Sequence, residues 1–286
     1  MKATFEEKSF ENYFNSELDK KASIFFPFGQ VQEGFLGFDA SSFSKNRSLW
    51  RAIGYPFLFS PKFKGADLIE IAEEMENYLS VTINNMPNLK ANLLFQYKRP
   101  EYVTSPKCAE WYLWNKPYYR YNIDMNQQLL LSKLHSSFSG RLLILYVSPA
   151  FHEINDLVHY KQKNKIIKNS NFTKAIDLNG HSKNTYITKG TYSIACSEPK
   201  RIKKINLENQ LDALRSNISK FENNTQFIKD FSSQIRDIVS EDATYSNAFL
   251  RLNSEYSMLT DYSVFHSLLV MANFKNLTGA QWIITT

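Results

Sequence analysis

Four polar residues in the first half of the chain have the types and spacing to do chemistry: Glu11, Asp39, Gln96 and Lys98. Carboxylate and amide oxygens suit a hard cation such as Mg²⁺ (or Mn²⁺), which keeps several waters and is held by one or two carboxylates together with substrate phosphate. A lysine beside such a site would position or deprotonate an attacking water and offset charge developing on the phosphate. Gln96 and Lys98 are two apart, so in a strand their side chains emerge on one face. Burying them unpaired within LLFQYK would cost several kcal/mol, which calls for a partner. Glu33 lies on the same alternation as Asp39 and is a further candidate ligand, and Glu7 stands one helical turn before Glu11.

These residues need elements that bring them together. Thr4–Lys20 reads as a helix, because Phe10, Phe14 and Leu18 recur every four residues with Tyr13 beside them. Ile24–Phe28 and Val31–Ala40 read as strands, the second ending in Gly-Phe-Asp-Ala. Phe43–Phe63 is punctuated by Pro56 and Pro61, and Gly65–Ser80 has a helical apolar pattern. Leu89–Arg99 reads as a strand stopped by Pro100. Ile123–Phe138 follows as a helix, and Gly140–Pro149 as a buried central strand.

At these residues the chain resembles the PD-(D/E)xK nuclease superfamily, in the D…QxK variant of its Mrr-like branches. SFENYF supplies a glutamate on the first helix (Glu11), GFDA an aspartate near a strand end (Asp39), and Gln96-Tyr97-Lys98 stands where the family has acid-x-Lys. The resemblance implies an α/β (α+β) fold: a restriction-endonuclease-like αβββαβ core over residues 1–150, with an insertion at about 43–88 that contains the extra helix. It also implies catalysis by Asp39, Gln96, Lys98 and Glu11, with Asp39, Gln96 and Glu11 on the metal. Gln96 in place of an acid removes a negative charge and weakens the metal site.

The rest of the chain is expected to hold a basic, loop-rich segment (151–205) and a mainly helical C-terminal region (206–286) packed on the core. Between Lys161 and Lys204 there are 11 Lys/Arg against 2 Asp/Glu, a local net of +9 in a chain of net +6. Such concentration suits a polyanion lying across the surface. Lys161, Lys163, Lys165, Lys168, Lys200, Arg201, Lys203 and Lys204 are the candidate backbone contacts. The aromatic loop Trp111–Tyr121 reads first as packing and second as a base-stacking platform.

Other chemistries find little support. Cys108 and Cys196 are too few for a disulfide framework and lack metal-ligand spacing. The five histidines form no HxxH, and no Walker A loop or GxGxxG is present. The longest apolar runs, Leu142–Val147 and Ser267–Ala272, are far below the ~20 residues of a membrane span. With no signal-peptide pattern at the start, a cytoplasmic location is expected. The reading is therefore a metal-dependent nuclease acting on DNA, with RNA as the second substrate, in a restriction or phage-defence setting. Its competitor is a non-catalytic nucleic-acid-binding or assembly subunit, whose C-terminal helices dock a protein partner or a second copy.

Overall fold

Alternation along one strand organises the first unit of the protein. In this computed structural model, which describes residues 1–21, 25–27, 68–138, 141–215 and 221–285, helix α1 (Glu7–Lys21) is followed by strand β1 (Phe25–Pro27), helix α2 (Leu68–Asn84) and strand β2 (Ala91–Tyr97). Leu93, Phe95 and Tyr97 of β2 point to one side, into an aromatic core with Phe10, Phe14 and Leu18 of α1. Phe14 lies within 6 Å of both Phe95 and Tyr97, at centroid distances of 5.9 and 5.6 Å in edge-on geometry, an arrangement favoured by the ring quadrupoles.

Strand β3 (Glu101–Val103) and strand β4 (Tyr118–Asn122) come next, then helix α3 (Met125–Ser137) and strand β5 (Leu142–Pro149). The α3 N-terminus is fixed by Asp124, whose side chain accepts from the Gln127 backbone N–H at 2.9 Å. β5 is buried along its whole length and runs parallel to β2, pairing Leu94 with Ile144 and Gln96 with Tyr146. This strand–helix–strand unit agrees with the final elements expected from the sequence. The chain continues through helix α4 (Ile154–Gln162), strands β6 (Ser170–Lys174), β7 (Lys183–Tyr186), β8 (Tyr192–Cys196) and β9 (Lys200–Lys203), and helix α5 (Leu207–Arg215). The basic stretch is thus mostly regular structure rather than loop.

The first sheet has the order β1-β10-β2-β5-β6, where β10 (Ala280–Thr285) is the last element of the chain and runs antiparallel to β2. β10 was not foreseen: AQWIIT has only four apolar residues, Ala280, Trp282, Ile283 and Ile284, too few to show a period. It takes up one edge of β2, with Trp282 opposite Leu94. Val31–Ala40, the other expected strand, lies outside the described residues.

The second sheet, β3-β4-β7-β8-β9, is antiparallel throughout. Tyrosines join the two sheets. Tyr121 stacks on Tyr146 at 5.9 Å, and the Tyr186 hydroxyl lies 2.7 Å from Ser148 Oγ and 2.8 Å from Pro149 O. The aromatic loop is mainly packing as well: Trp114 is buried and donates to Thr185 Oγ1 at 3.0 Å. Buried Glu110 accepts from Lys183 Nζ (2.8 Å), Arg120 Nη1 (2.9 Å) and Tyr118 Oη (3.1 Å).

The second unit is helical in its described part. The chain divides into Met1–Phe26, Lys90–Ile218 and Gly279–Thr286 on one side and Pro27–Leu89 with Ser219–Thr278 on the other. In the latter, α2 packs with helix α6 (Asn224–Ser240) and helix α8 (Ser263–Thr278), and helix α7 (Ser246–Ser254) packs on both α6 and α8. The helix expected as an insertion in the core therefore belongs with the C-terminal helices, and the expected boundary at 206 falls instead at 218. Asn224 ties this unit together, accepting from Leu89 N at 2.9 Å and donating to Ile83 O at the same distance. No helix among the described residues is long and apolar enough to cross a membrane.

Candidate functional site

Gln96 sits at the end of β2, on the side away from α1, with 3% of its surface exposed. Its Oε1 accepts from Gln127 Nε2 at 2.8 Å, and its Nε2 donates to Tyr97 O at 3.2 Å. Lys98, one alternation further, donates from Nζ to Gln127 Oε1 at 3.1 Å and stands 5.6 Å from the Tyr146 ring centroid. One carboxamide on the first turn of α3 thus links both residues of the Gln-x-Lys pair. Gly279, at φ +71°, passes over this group, and a Cβ there would stand 3.5 Å from Gln96 Nε2.

Gln127 was not singled out from the sequence. The available signal was Asp124 followed three residues later by Gln, a capping-box pattern. Here only the Asp half caps the helix, and the glutamine side chain turns to β2.

Three titratable groups at this end of β2, Lys98, Glu7 and Tyr97, are displaced from their ordinary values. Burial pushes the Lys98 pKa down, against the opposing charges of Glu7 and Asp124. Burial also pushes Glu7 up, against the Lys98 charge and the Arg99 N–H that its Oε2 accepts at 2.9 Å. Glu7, rather than Glu11, is therefore the α1 carboxylate that acts on Lys98. Glu11 is buried on the α1 side of the sheet, 3.6 Å from Lys8 Nζ, where its charge adds to burial in raising the Tyr97 phenol. The cause is alternation: Tyr97 and Gln96 point to opposite faces, so a residue packed by α1 on Tyr97 is kept from the Gln96 amide. Asp39 and Glu33 lie outside the described residues.

A hard divalent ion needs several oxygen ligands, one or two of them carboxylates. Gln96 Oε1 is engaged by Gln127, Glu7 by Arg99, and Asp124 by its helix cap. Among the described residues no group of three His, Cys, Asp or Glu is placed to hold a metal. Of the expected Mg²⁺ set, Asp39 lies outside the described residues, and Gln96 and Glu11 stand on opposite faces of β2.

The basic residues do gather. Strand β9 (KRIK) forms the edge of the second sheet, with Lys200, Arg201 and Lys203 exposed. Lys200, Lys203 and Lys204 line a cleft of about 700 Å³ together with Lys174, His135 and Asp177. Lys203 and Lys204 also line a second cleft of about 710 Å³ with Lys168, Thr191 and Glu208. Burial lowers the Lys204 pKa. The Arg201 guanidinium stands 4.8 Å over Tyr192, which stacks on Trp114 at 5.3 Å. Lys174 was missed by sequence reading, although it lies within the same basic stretch. Lys161, Lys163 and Lys165 are placed elsewhere, at the end of α4, where Lys161 Nζ covers the Tyr13 ring at 4.5 Å. No family model, curated protein or solved structure matches this chain.

Proposed function

We propose that this protein binds the phosphate backbone of a nucleic acid along the two clefts that share Lys203 and Lys204. The observation that carries this reading is the convergence of Lys168, Lys174, Lys200, Lys203 and Lys204 on neighbouring clefts beside an exposed basic strand. Lysines at such positions replace condensed counterions on the backbone, and their release drives binding. The Arg201–Tyr192–Trp114 stack offers a planar cation to an unpaired base. Fluorescence anisotropy with labelled duplex and single-stranded DNA and RNA tests it. Lys203→Gln/Lys204→Gln weakens binding in any form that uses the clefts, and unchanged affinity in that double variant refutes the assignment.

A second reading, phosphodiester hydrolysis at Lys98 as the D…QxK resemblance implies, is favoured by the lowered Lys98 pKa beside Glu7. An amine that gives up its proton more readily is better matched to general-base work near neutral pH. Plasmid incubated with Mg²⁺ or Mn²⁺ decides between the two. Cleavage that disappears in both Lys98→Ala and Asp39→Ala, with DNA binding retained, establishes hydrolysis. Binding without cleavage leaves the non-catalytic binding or assembly subunit.

A further inference from the structure

The helical unit contains a polar cleft that the readings above leave unused. Along α6, Lys229, Ser232, Ser233 and Arg236 recur at spacings of three, four and seven, which puts them on one helix face. Along α8, Ser263, His266, Ser267 and Val270 follow the same rhythm. The two faces line a cleft of about 190 Å³, with Thr260 also at its wall. That is room for roughly six waters at about 30 Å³ each. These two helices pack against each other, and along the cleft they present only cations, an imidazole, hydroxyls and one valine.

Among the described residues no acidic side chain lines this cleft. The nearby carboxylates have other work. Glu76 of α2 accepts the Val264 and Phe265 backbone N–H groups at 2.9 and 2.8 Å, and Asp237 stands 3.6 Å from Arg236 Nε. Ser232 and Ser267 donate back to carbonyls of their own helices, at 3.1 and 2.8 Å. Ser233 instead accepts from Arg236 Nη2 at 3.3 Å, which leaves its own hydroxyl proton for a ligand. Donors from Lys229, Arg236, His266 and Ser233 therefore surround one small volume. We propose that this cleft binds the phosphoryl group of a phosphate monoester, held by Lys229, Arg236, His266 and Ser233. A tetrahedral dianion matches two fixed cations and several short-range donors, and charge-assisted bonds of this type are the strong ones. His266 fits the role: burial, and secondarily Arg236, lower its pKa, and a bound anion would relieve the second effect.

The test follows the His266 ring resonances of the full chain, identified by their loss in His266→Gln, during titration with inorganic phosphate at constant ionic strength in chloride. A saturating change is expected, weakened at least tenfold in Lys229→Gln and in Arg236→Gln. Lys200→Gln/Lys203→Gln/Lys204→Gln leaves it unchanged, which separates this cleft from those of the first unit. A drift that chloride reproduces, or equal saturation in Lys229→Gln and Arg236→Gln, overturns the site. Unfolding midpoints of each variant, expected within a few degrees of the parent protein, guard against loss of fold. Two further probes identify the source of the phosphoryl group. Tighter binding by a 5′-phosphorylated oligonucleotide than by its 5′-hydroxyl counterpart assigns it to a nucleic-acid end. Saturation by inorganic phosphate with no difference between the two oligonucleotides assigns it to a small molecule.

Discussion

At the scale of single residues, Gln127 concentrates the polar chemistry at the end of β2. Its carboxamide donates to Gln96 and accepts from Lys98, so replacing it removes a partner from each. Gln127→Leu is expected to destabilise the protein by about 1–3 kcal/mol, the usual cost of stranding buried polar groups, which urea unfolding measures. Glu110 carries a pH signature of its own. Burial would raise its carboxyl, but the Lys183 hydrogen bond, a backbone hydrogen bond, the Lys183 charge and the Tyr118 hydroxyl together bring it from 4.5 down to about 2. A carboxylate depressed in the folded state adds stability that is complete above its unfolded pKa and is lost as the pH falls toward the folded value. The protein should therefore lose stability between pH 4.5 and about 2. Glu110→Gln should lack that part of the loss while being less stable at neutral pH; identical acid profiles would refute this.

At the scale of elements, β10 deserves a direct test because nothing about AQWIIT in isolation announced it. Trp282 is 1% exposed and its Nε1 donates to Asn92 Oδ1 at 2.9 Å across the β2 pairing. Trp282→Ala should cost about 3–5 kcal/mol, in the range for large aromatic truncations in a core, as read by the shift of the denaturation midpoint. The contrast with β2, β5, α1 and α3 explains what sequence reading could see. Those elements have Pro100 as a stop, a four-residue aromatic rhythm and an apolar run bounded by Gly140 and Pro149. Local patterns of that kind place an element but not its neighbours. The pairing of β2 with β10, the transfer of α2 to the helical unit and the Gln127–Gln96 bond across 31 positions are all long-range outcomes. The same limit governs the candidate site. The Gln-x-Lys geometry followed from alternation alone, whereas the roles of Glu7 and Gln127 depended on how α1 and α3 pack against the sheet.

At the scale of the whole molecule, the charge asymmetry makes a quantitative claim. If Lys200, Lys203 and Lys204 each replace one counterion on duplex DNA, the triple glutamine variant should flatten the plot of log K against log [salt] by about 0.9 per lysine removed. A parallel plot of weaker affinity would instead assign these lysines to non-ionic contacts. The placement of β10 has a consequence for biosynthesis. Trp282 meets Asn92 across 190 positions of sequence, with the helices of the other unit in between. As the chain leaves the ribosome, β2 must therefore wait with one hydrogen-bonding edge unclaimed while all of α6, α7 and α8 are made. A nascent chain halted before residue 280 would carry that open edge into solution. Such an edge recruits other strands, so premature termination here should yield aggregate rather than a shortened, working protein.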